Sequence, residues 1–487
     1  MGPSKTGRGW CAALLLFLMT TISGPAPATA QTKSAKALAS DAIAAERIQR
    51  YADLAVKWMG EYLQIDTSNP PGNEMKAAEF FHGIFDREGI ENRVFEFAPG
   101  RGNIWARIPA SSPGAHRRPL ILLNHTDVVT SDPARWRVPP FSATVVDGSM
   151  YGRGAQDMKC EGLAQLVVMV MLKREKVQLD RDVIFLATGD EEVDDTGTDW
   201  MIANQRDLLG NAEFLITEGG ENLNEGGRAK YVGIDVAEKA TFWLHVVAHG
   251  RPGHGSRPIM DSAPNRLVEA LNRIIHYRTD LKLLPVVEEF LQGMAQFETP
   301  ERARQFRNIR QQVHDKAFQE TVERDESLNY MLRNTISLSM LGGSRQTNVI
   351  PSEAWANIDV RMLPGEDPQQ FLELMRKVVA DSNVTVEPLK GFNASNASPT
   401  DTALMAAIRR VAGHYFAGAP VVPRLSGGYT ENQRFRKLGI VSYGFSPYTA
   451  TEEEGATEHG DNERIRVGEL RRGFRVMYDV VNEVGRN

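Results

Sequence analysis

Three short apolar runs stop at acidic or imidazole side chains, and they organise the first half of the chain. Pro119 to Asn124 reads PLILLN and ends at His125. Val183 to Thr188 reads VIFLAT and ends at Gly189-Asp190-Glu191-Glu192. Phe214 to Thr217 reads FLIT and ends at Glu218-Gly219-Gly220. Short continuous apolar runs with polar ends predict strands buried on both faces. Helical spacing covers Tyr51 to Leu63, Glu74 to Glu88 and Glu161 to Glu175, and Asn69-Pro70-Pro71-Gly72 marks a turn. Alternating strands and helices predict an open α/β sheet. Such sheets bind ligands at the carboxyl ends of their strands, where all three runs end in polar chemistry.

Residues 238–390 carry a different pattern. Thr241 to Ala248 predicts a strand, and Asp261 to Arg278 a helix with Leu267, Leu271, Ile274 and Ile275 on one stripe. Thr335 to Leu341 and Ala354 to Met362 alternate apolar and polar positions. A helix from Pro368 to Ala380 and a strand from Val384 to Leu389 complete a β-α-β-β-α-β order, the ferredoxin-like pattern. A charged helical insertion, roughly 285–330, interrupts it. From 391 the α/β pattern resumes, with helices over Thr402 to His414 and Val467 to Val484 and a strand over Gly439 to Phe445. The expected plan is one α/β domain in two segments, 31–237 and 391–487, around an inserted α+β domain at 238–390.

Composition narrows the class. The chain has 487 residues, 42% hydrophobic and 24% charged, enough for two sizeable soluble domains. Its formal net charge of −6 and the lack of a long Lys/Arg run exclude nucleic acid as the expected partner. Lys5 and Arg8 precede an apolar run from Trp10 to Ile22, and Ala28-Thr29-Ala30 offers a cleavage site. Residues 1–30 thus read as a signal peptide, with export to the periplasm or beyond and no stable membrane span after cleavage; an uncleaved anchor is the alternative. Removal of Cys11 with the signal leaves only Cys160, so no internal disulfide forms. Cys160 reads as a small buried residue opening a helix, with a thiol nucleophile as the alternative.

The strand ends group His125, Glu191, Glu192 and Glu218 as a cluster. Taken singly, each fits a surface or core side chain; their joint placement carries the argument. On extended backbone Glu191 and Glu192 point apart, so one can bind a metal while the other holds a water. Asp127, two residues after His125, is placed to accept the other ring N–H. No H-E-x-x-H and no paired C-x-x-C occurs.

Leu123-Asn124-His125-Thr126-Asp127-Val128-Val129 resembles the H-x-D-V motif of the dizinc peptidases, metallopeptidase family M20. That family includes glutamate carboxypeptidase, aminoacylase, succinyl-diaminopimelate desuccinylase and carboxypeptidase S. Tyr151-Gly152-Arg153-Gly154-Ala155-Gln156-Asp157-Met158-Lys159 resembles the segment of its bridging aspartate. Gly189-Asp190-Glu191-Glu192, Thr217-Glu218-Gly219-Gly220 and Glu458-His459-Gly460 are similar to its base-plus-ligand pair and its last two ligand segments. The resemblance implies two zinc ions, with cobalt or manganese as substitutes. His125, Asp157, Glu192, Glu218 and His459 would be the ligands, with Asp157 as bridge and Glu191 as general base. One shared carboxylate plus two further ligands per ion meets what a two-metal hydrolytic site needs.

The resemblance extends to the inserted domain. Gly253-His254-Gly255-Ser256 matches a histidine that stabilises the oxyanion and, in dimers, reaches the partner's active site. Asn348, in Thr347-Asn348-Val349-Ile350-Pro351, and Arg361, in Asp359-Val360-Arg361, match substrate-binding positions. An arginine there suits a carboxylate; the alternative for Arg361 is an ion pair with Asp359. Gly427 and Gly428 belong to a substrate loop that departs from the family in ending Tyr429-Thr430-Glu431, and Cys160-Glu161 after Lys159 is a second departure. The resemblance implies hydrolysis of a peptide or N-acyl amino acid amide bond beside a free carboxylate, by a homodimer. The alternatives are a dipeptidase of the same family or a non-catalytic binding protein on this fold.

Overall fold

Each of the three apolar runs forms a strand in one large sheet. The computed structural model describes residues 37–392 and 394–486. The signal segment expected at 1–30 lies outside the described residues. The first part of the chain contributes β1 Glu91–Ala98, β2 Arg101–Ile108, β3 Arg117–His125, β4 Arg181–Thr188, β5 Phe214–Thr217 and β6 Val232–Glu238. The middle part contributes β7 Ala240–His249, β8 Gly253–His254, β9 Thr335–Gly342, β10 Val349–Ile350, β11 Glu353–Met362 and β12 Val384–Pro388. The last part contributes β13 Val421–Ser426 and β14 Val441–Gly444.

The large sheet has the order β1-β2-β4-β3-β5-β14-β6-β13. Its centre, β4-β3-β5-β14, is parallel. Leu120 to Leu123, Val183 to Ala187 and Phe214 to Ile216 are almost wholly buried. Nearly every residue of helix Lys159–Arg174 is buried, as is most of helix Val467–Gly485. Burial on both faces is what continuous apolar strands require. Register then decides where the chemistry falls. His125 pairs with Thr188, and Thr217 with Gly444, so β3, β4 and β5 end at one edge.

β1, β2, β6 and β13 carry no continuous apolar run. β1 reads ENRVFEFA and is nowhere fully buried, while β13 holds Pro423 and Arg424. Both sit at outer edges of the sheet, where polar residues and proline are tolerated.

The inserted domain is a four-stranded antiparallel sheet, β9-β11-β7-β12, with helices Ala263–His276 and Pro368–Val379. Its chain order is the expected β-α-β-β-α-β, and it has a core of its own. The charged insertion packs elsewhere. It folds as five α-helices between Pro285–Met294 and Glu326–Leu332, and Val287, Leu291, Phe306, Ile309 and Phe318 join the core of the large sheet. An added Cβ at Gly293 would lie 2.5 Å from the Val422 side chain, so this helix lies close against β13. Among the described residues no helix is long and apolar enough to cross a membrane.

Candidate active site

The strand ends bring imidazoles and carboxylates into contact. His125 is the last residue of β3, Glu191 and Glu192 follow β4, and Glu218 follows β5. Asp157 precedes helix Lys159–Arg174, and His459 lies before the short strand Arg464–Arg466. Asp157 Oδ1 is 2.9 Å from His125 Nε2, which is also 3.2 Å from Glu218 Oε2. Asp157 Oδ2 is 2.8 Å from His459 Nε2, which is also 3.3 Å from Glu192 Oε2. One carboxylate thus faces two donor sets, one through each oxygen.

These donors fit metal ions. Ligand atoms held at ~2.0–2.1 Å in tetrahedral geometry lie roughly 3.3 Å from one another, close to the separations here. His125, Asp157 and Glu192 form one group able to hold a metal ion, and His125, Glu191 and Glu218 a second. Glu192 Oε1 is buried without a hydrogen-bond partner, as an atom awaiting a cation would be. Burial, then the charge of Glu218, pushes the Glu191 carboxyl well above the usual range. Burial and the charge of Asp157 do the same to Glu218, although His125 opposes it. Hydrogen bonds to Asp157 and Glu192 raise His459 to about 11. Burial disfavours a charged Asp157, yet His125 and His459 hold it far below the carboxylate range. Crowded negative charge of this kind favours a bound cation, and binding a cation releases protons from its ligands.

Asp127 faces His125 with both its backbone carbonyl and its carboxylate. His125 Nδ1 is 3.1 Å from the Asp127 backbone carbonyl and 3.7 Å from its carboxylate. The carbonyl two residues on is the nearer acceptor, which leaves Nε2 directed at Asp157. The Asp127 carboxylate accepts the backbone N–H groups of Glu191 at 3.1 Å and Glu192 at 3.2 Å, and Asn69 Nδ2 at 2.8 Å. It therefore fixes the turn that carries both glutamates. Glu463 plays the same part for Asp157. Its Oε1 accepts the N–H groups of Gln156 and Asp157, and its Oε2 accepts Gly154 N–H and Arg153 Nη1. Sequence reasoning missed Asn69 and Glu463. The only available signal for Glu463 was its place four residues after His459.

A cavity of about 1080 Å³ opens over the cluster, lined by Asp157, Glu191, Glu192, Glu218 and His459 from the large domain and by Arg361 from the inserted one. Arg361 also pairs with Asp359, at 2.9 Å and 3.2 Å, which is the ion pair expected as the alternative for this residue. Gly428 lines the cavity; Gly427 packs 3.4 Å, measured from an added Cβ, from the Tyr330 ring. His254 and Asn348 are not among the described residues that line it. They lie together on β8 and beside β10, where Gly255 N–H donates to Asn348 O at 2.8 Å. His254 is exposed, with its ring bonded to Ser256. Cys160 is buried, with its thiol donating to Glu161 at 2.9 Å. Burial and the Glu161 charge push that thiol well above its usual pKa, away from nucleophilic chemistry.

The N-fatty-acyl-amino acid synthase/hydrolase of Mus musculus is 26% identical, over 97% of this chain and 95% of its own. Aminoacylase-1 of Homo sapiens is 26% identical, over 85% of this chain and 91% of its own. The M20 family metallo-carboxypeptidase Sso-CP2 from Sulfolobus solfataricus shares the fold, with a TM-score of 0.67 at 19% identity over 88% of this chain and 99% of that one. The profile of peptidase family M20/M25/M40 matches residues 121–483. With that match covering most of its length, the chain belongs to peptidase family M20/M25/M40 and is a hydrolase.

Proposed function

We propose that this chain hydrolyses the amide bond of N-acyl amino acids and of peptide C-termini, beside a free carboxylate, with two zinc ions. The observation that carries this reading is Asp157, which turns one oxygen to His125 and the other to His459. His125 and Glu218 would hold one ion, Glu192 and His459 the other, and Asp157 would bridge them. When bound, the ions supply Lewis acidity and lower the pKa of bound water towards about 7.

The remaining steps belong to the protein. Glu191 takes a proton from the attacking water and returns it to the leaving amine. Arg361, held flat by Asp359, binds the substrate carboxylate through its guanidinium. Gly427 and Gly428 let the substrate approach the backbone of their loop. The name of the mouse relative points to acyl groups as long as fatty acids, which a cavity of about 1080 Å³ has room for. His254 and Asn348 lie away from the cavity of their own subunit. They serve a second copy's site in a homodimer formed by the inserted domains. The first 30 residues direct export.

The test is a substrate panel with purified, zinc-loaded enzyme. N-acyl amino acids with a free carboxylate should be cleaved at least about 10-fold faster than their C-terminal amides, the worth of a charged hydrogen bond. Chelation should abolish both activities. Equal cleavage of free and blocked substrates would sink the carboxylate reading.

A further inference from the structure

The turn that carries Glu191 and Glu192 is held from outside the segment matched by the family. Asp190 heads this turn at φ 75°, in the left-handed region. Its carboxylate is gripped on both oxygens. Asn69 Nδ2 and Arg101 Nη2 donate to Oδ1 at 2.8 Å and 2.9 Å, and the Thr196 N–H and hydroxyl donate to Oδ2. Arg101 is in turn fixed by Glu74, with Nε donating to Oε2 at 2.6 Å and Nη2 to Oε1. The Phe97 ring lies 5.5 Å from the guanidinium.

This brace is built into the core. Glu74 and Asp127 are fully buried, and Asp190 and Asn69 nearly so. Two glycines leave room for it. A Cβ at Gly72 would lie 2.3 Å from Arg101 Nε, and one at Gly189 would lie 2.9 Å from Glu74 Cγ. Asn69 closes the circuit, because the same Nδ2 also donates to Asp127 Oδ2 at 2.8 Å. The Asp127 carboxylate then holds the N–H groups of Glu191 and Glu192. A continuous run of hydrogen bonds thus leads from Glu74 to the base. Asn69, Glu74 and Arg101 all precede residue 121, where the family match begins.

We infer that Asn69, Glu74 and Arg101 are positioning residues, which set the Asp190 turn so that Glu191 faces the reacting water and Glu192 faces His459. The inference rests on the reading of Glu191 as general base. Asn69, Glu74, Arg101 and Asp190 do not line the cavity. A loosened turn leaves substrate binding intact and misplaces the base, so the effect falls on kcat rather than KM.

The experiment combines single variants, a double-mutant cycle and amide exchange. In zinc-loaded enzyme, Arg101→Gln and Asn69→Ala should each lower kcat about 10- to 100-fold, the usual loss when a partner behind a metal or catalytic group is removed. KM should stay within about twofold. Arg101→Lys, which keeps the charge beside Glu74 and Asp190, should recover part of kcat and secures the test if Arg101→Gln folds poorly. In a Glu191→Gln background at saturating zinc, the same changes should alter kcat by less than about threefold. In metal-free protein, amide exchange over residues 189–197 should quicken while the inserted domain keeps its protection. A folded variant with unchanged kcat and exchange overturns the brace, as does a loss that multiplies fully with Glu191→Gln. Full activity of Glu191→Gln alone would remove the base, while the exchange result would still decide the brace.

Discussion

Arg153 donates to Glu463 at 2.7 Å, and the two residues are only 2% and 1% exposed. Glu463 spends its remaining acceptor capacity on backbone N–H groups of the Asp157 segment. Arg153→Met would leave a buried carboxylate without its cation. The expected loss is about 3–5 kcal/mol in urea unfolding, as for other buried pairs broken on one side. A loss under about 1 kcal/mol, the worth of an exposed pair, would show that the neighbouring N–H groups suffice.

How far the sequence revealed this site follows from what each residue depends on. His125 and Glu218 were legible because they end or follow strands whose apolar runs are continuous and buried. Asp157 and His459 lie in irregular segments without periodicity, so only the family resemblance could single them out. The role of Asp127 depends on Asn69, 58 positions earlier, and no local pattern encodes such a contact. The five helices of the insertion present apolar residues to the large sheet, but their short lengths and dense charge hid that side.

Glu191→Gln should lower kcat by about 10²- to 10⁴-fold, the range for loss of a general base. The side chain keeps its size, and Asp127 holds the turn through backbone N–H groups that the substitution does not touch. Zinc content and KM should therefore hold. Steady-state kinetics alongside metal analysis separates the outcomes: zinc lost in step with activity would make Glu191 a ligand instead.

Burial pushes the Glu161 carboxyl up to about 7, against 4.5 for a free glutamate. The folded protein thus keeps a proton that the unfolded chain releases, so stability falls as pH rises. The contribution is fully present below pH 4.5 and is lost as pH passes 7. Its full size is roughly 3 kcal/mol. Glu161→Gln, measured by urea unfolding of chelated protein, should flatten the pH dependence across this window. An unchanged slope would place the titration elsewhere.

Met340 and Leu341 on the edge strand β9 are 53% and 62% exposed, and Val268 on the neighbouring helix is 65% exposed. An unpaired strand edge that also presents large apolar side chains invites a second copy. Leu341→Lys places a charge at the centre of that surface and should shift sedimentation from dimer to monomer. Activity should fall with the dimer, because His254 would then reach no partner site. Restoring the dimer at higher protein concentration should restore activity in the same proportion. A monomer that keeps full activity at every concentration would remove His254 from the reaction and leave oxyanion stabilisation to groups within one subunit.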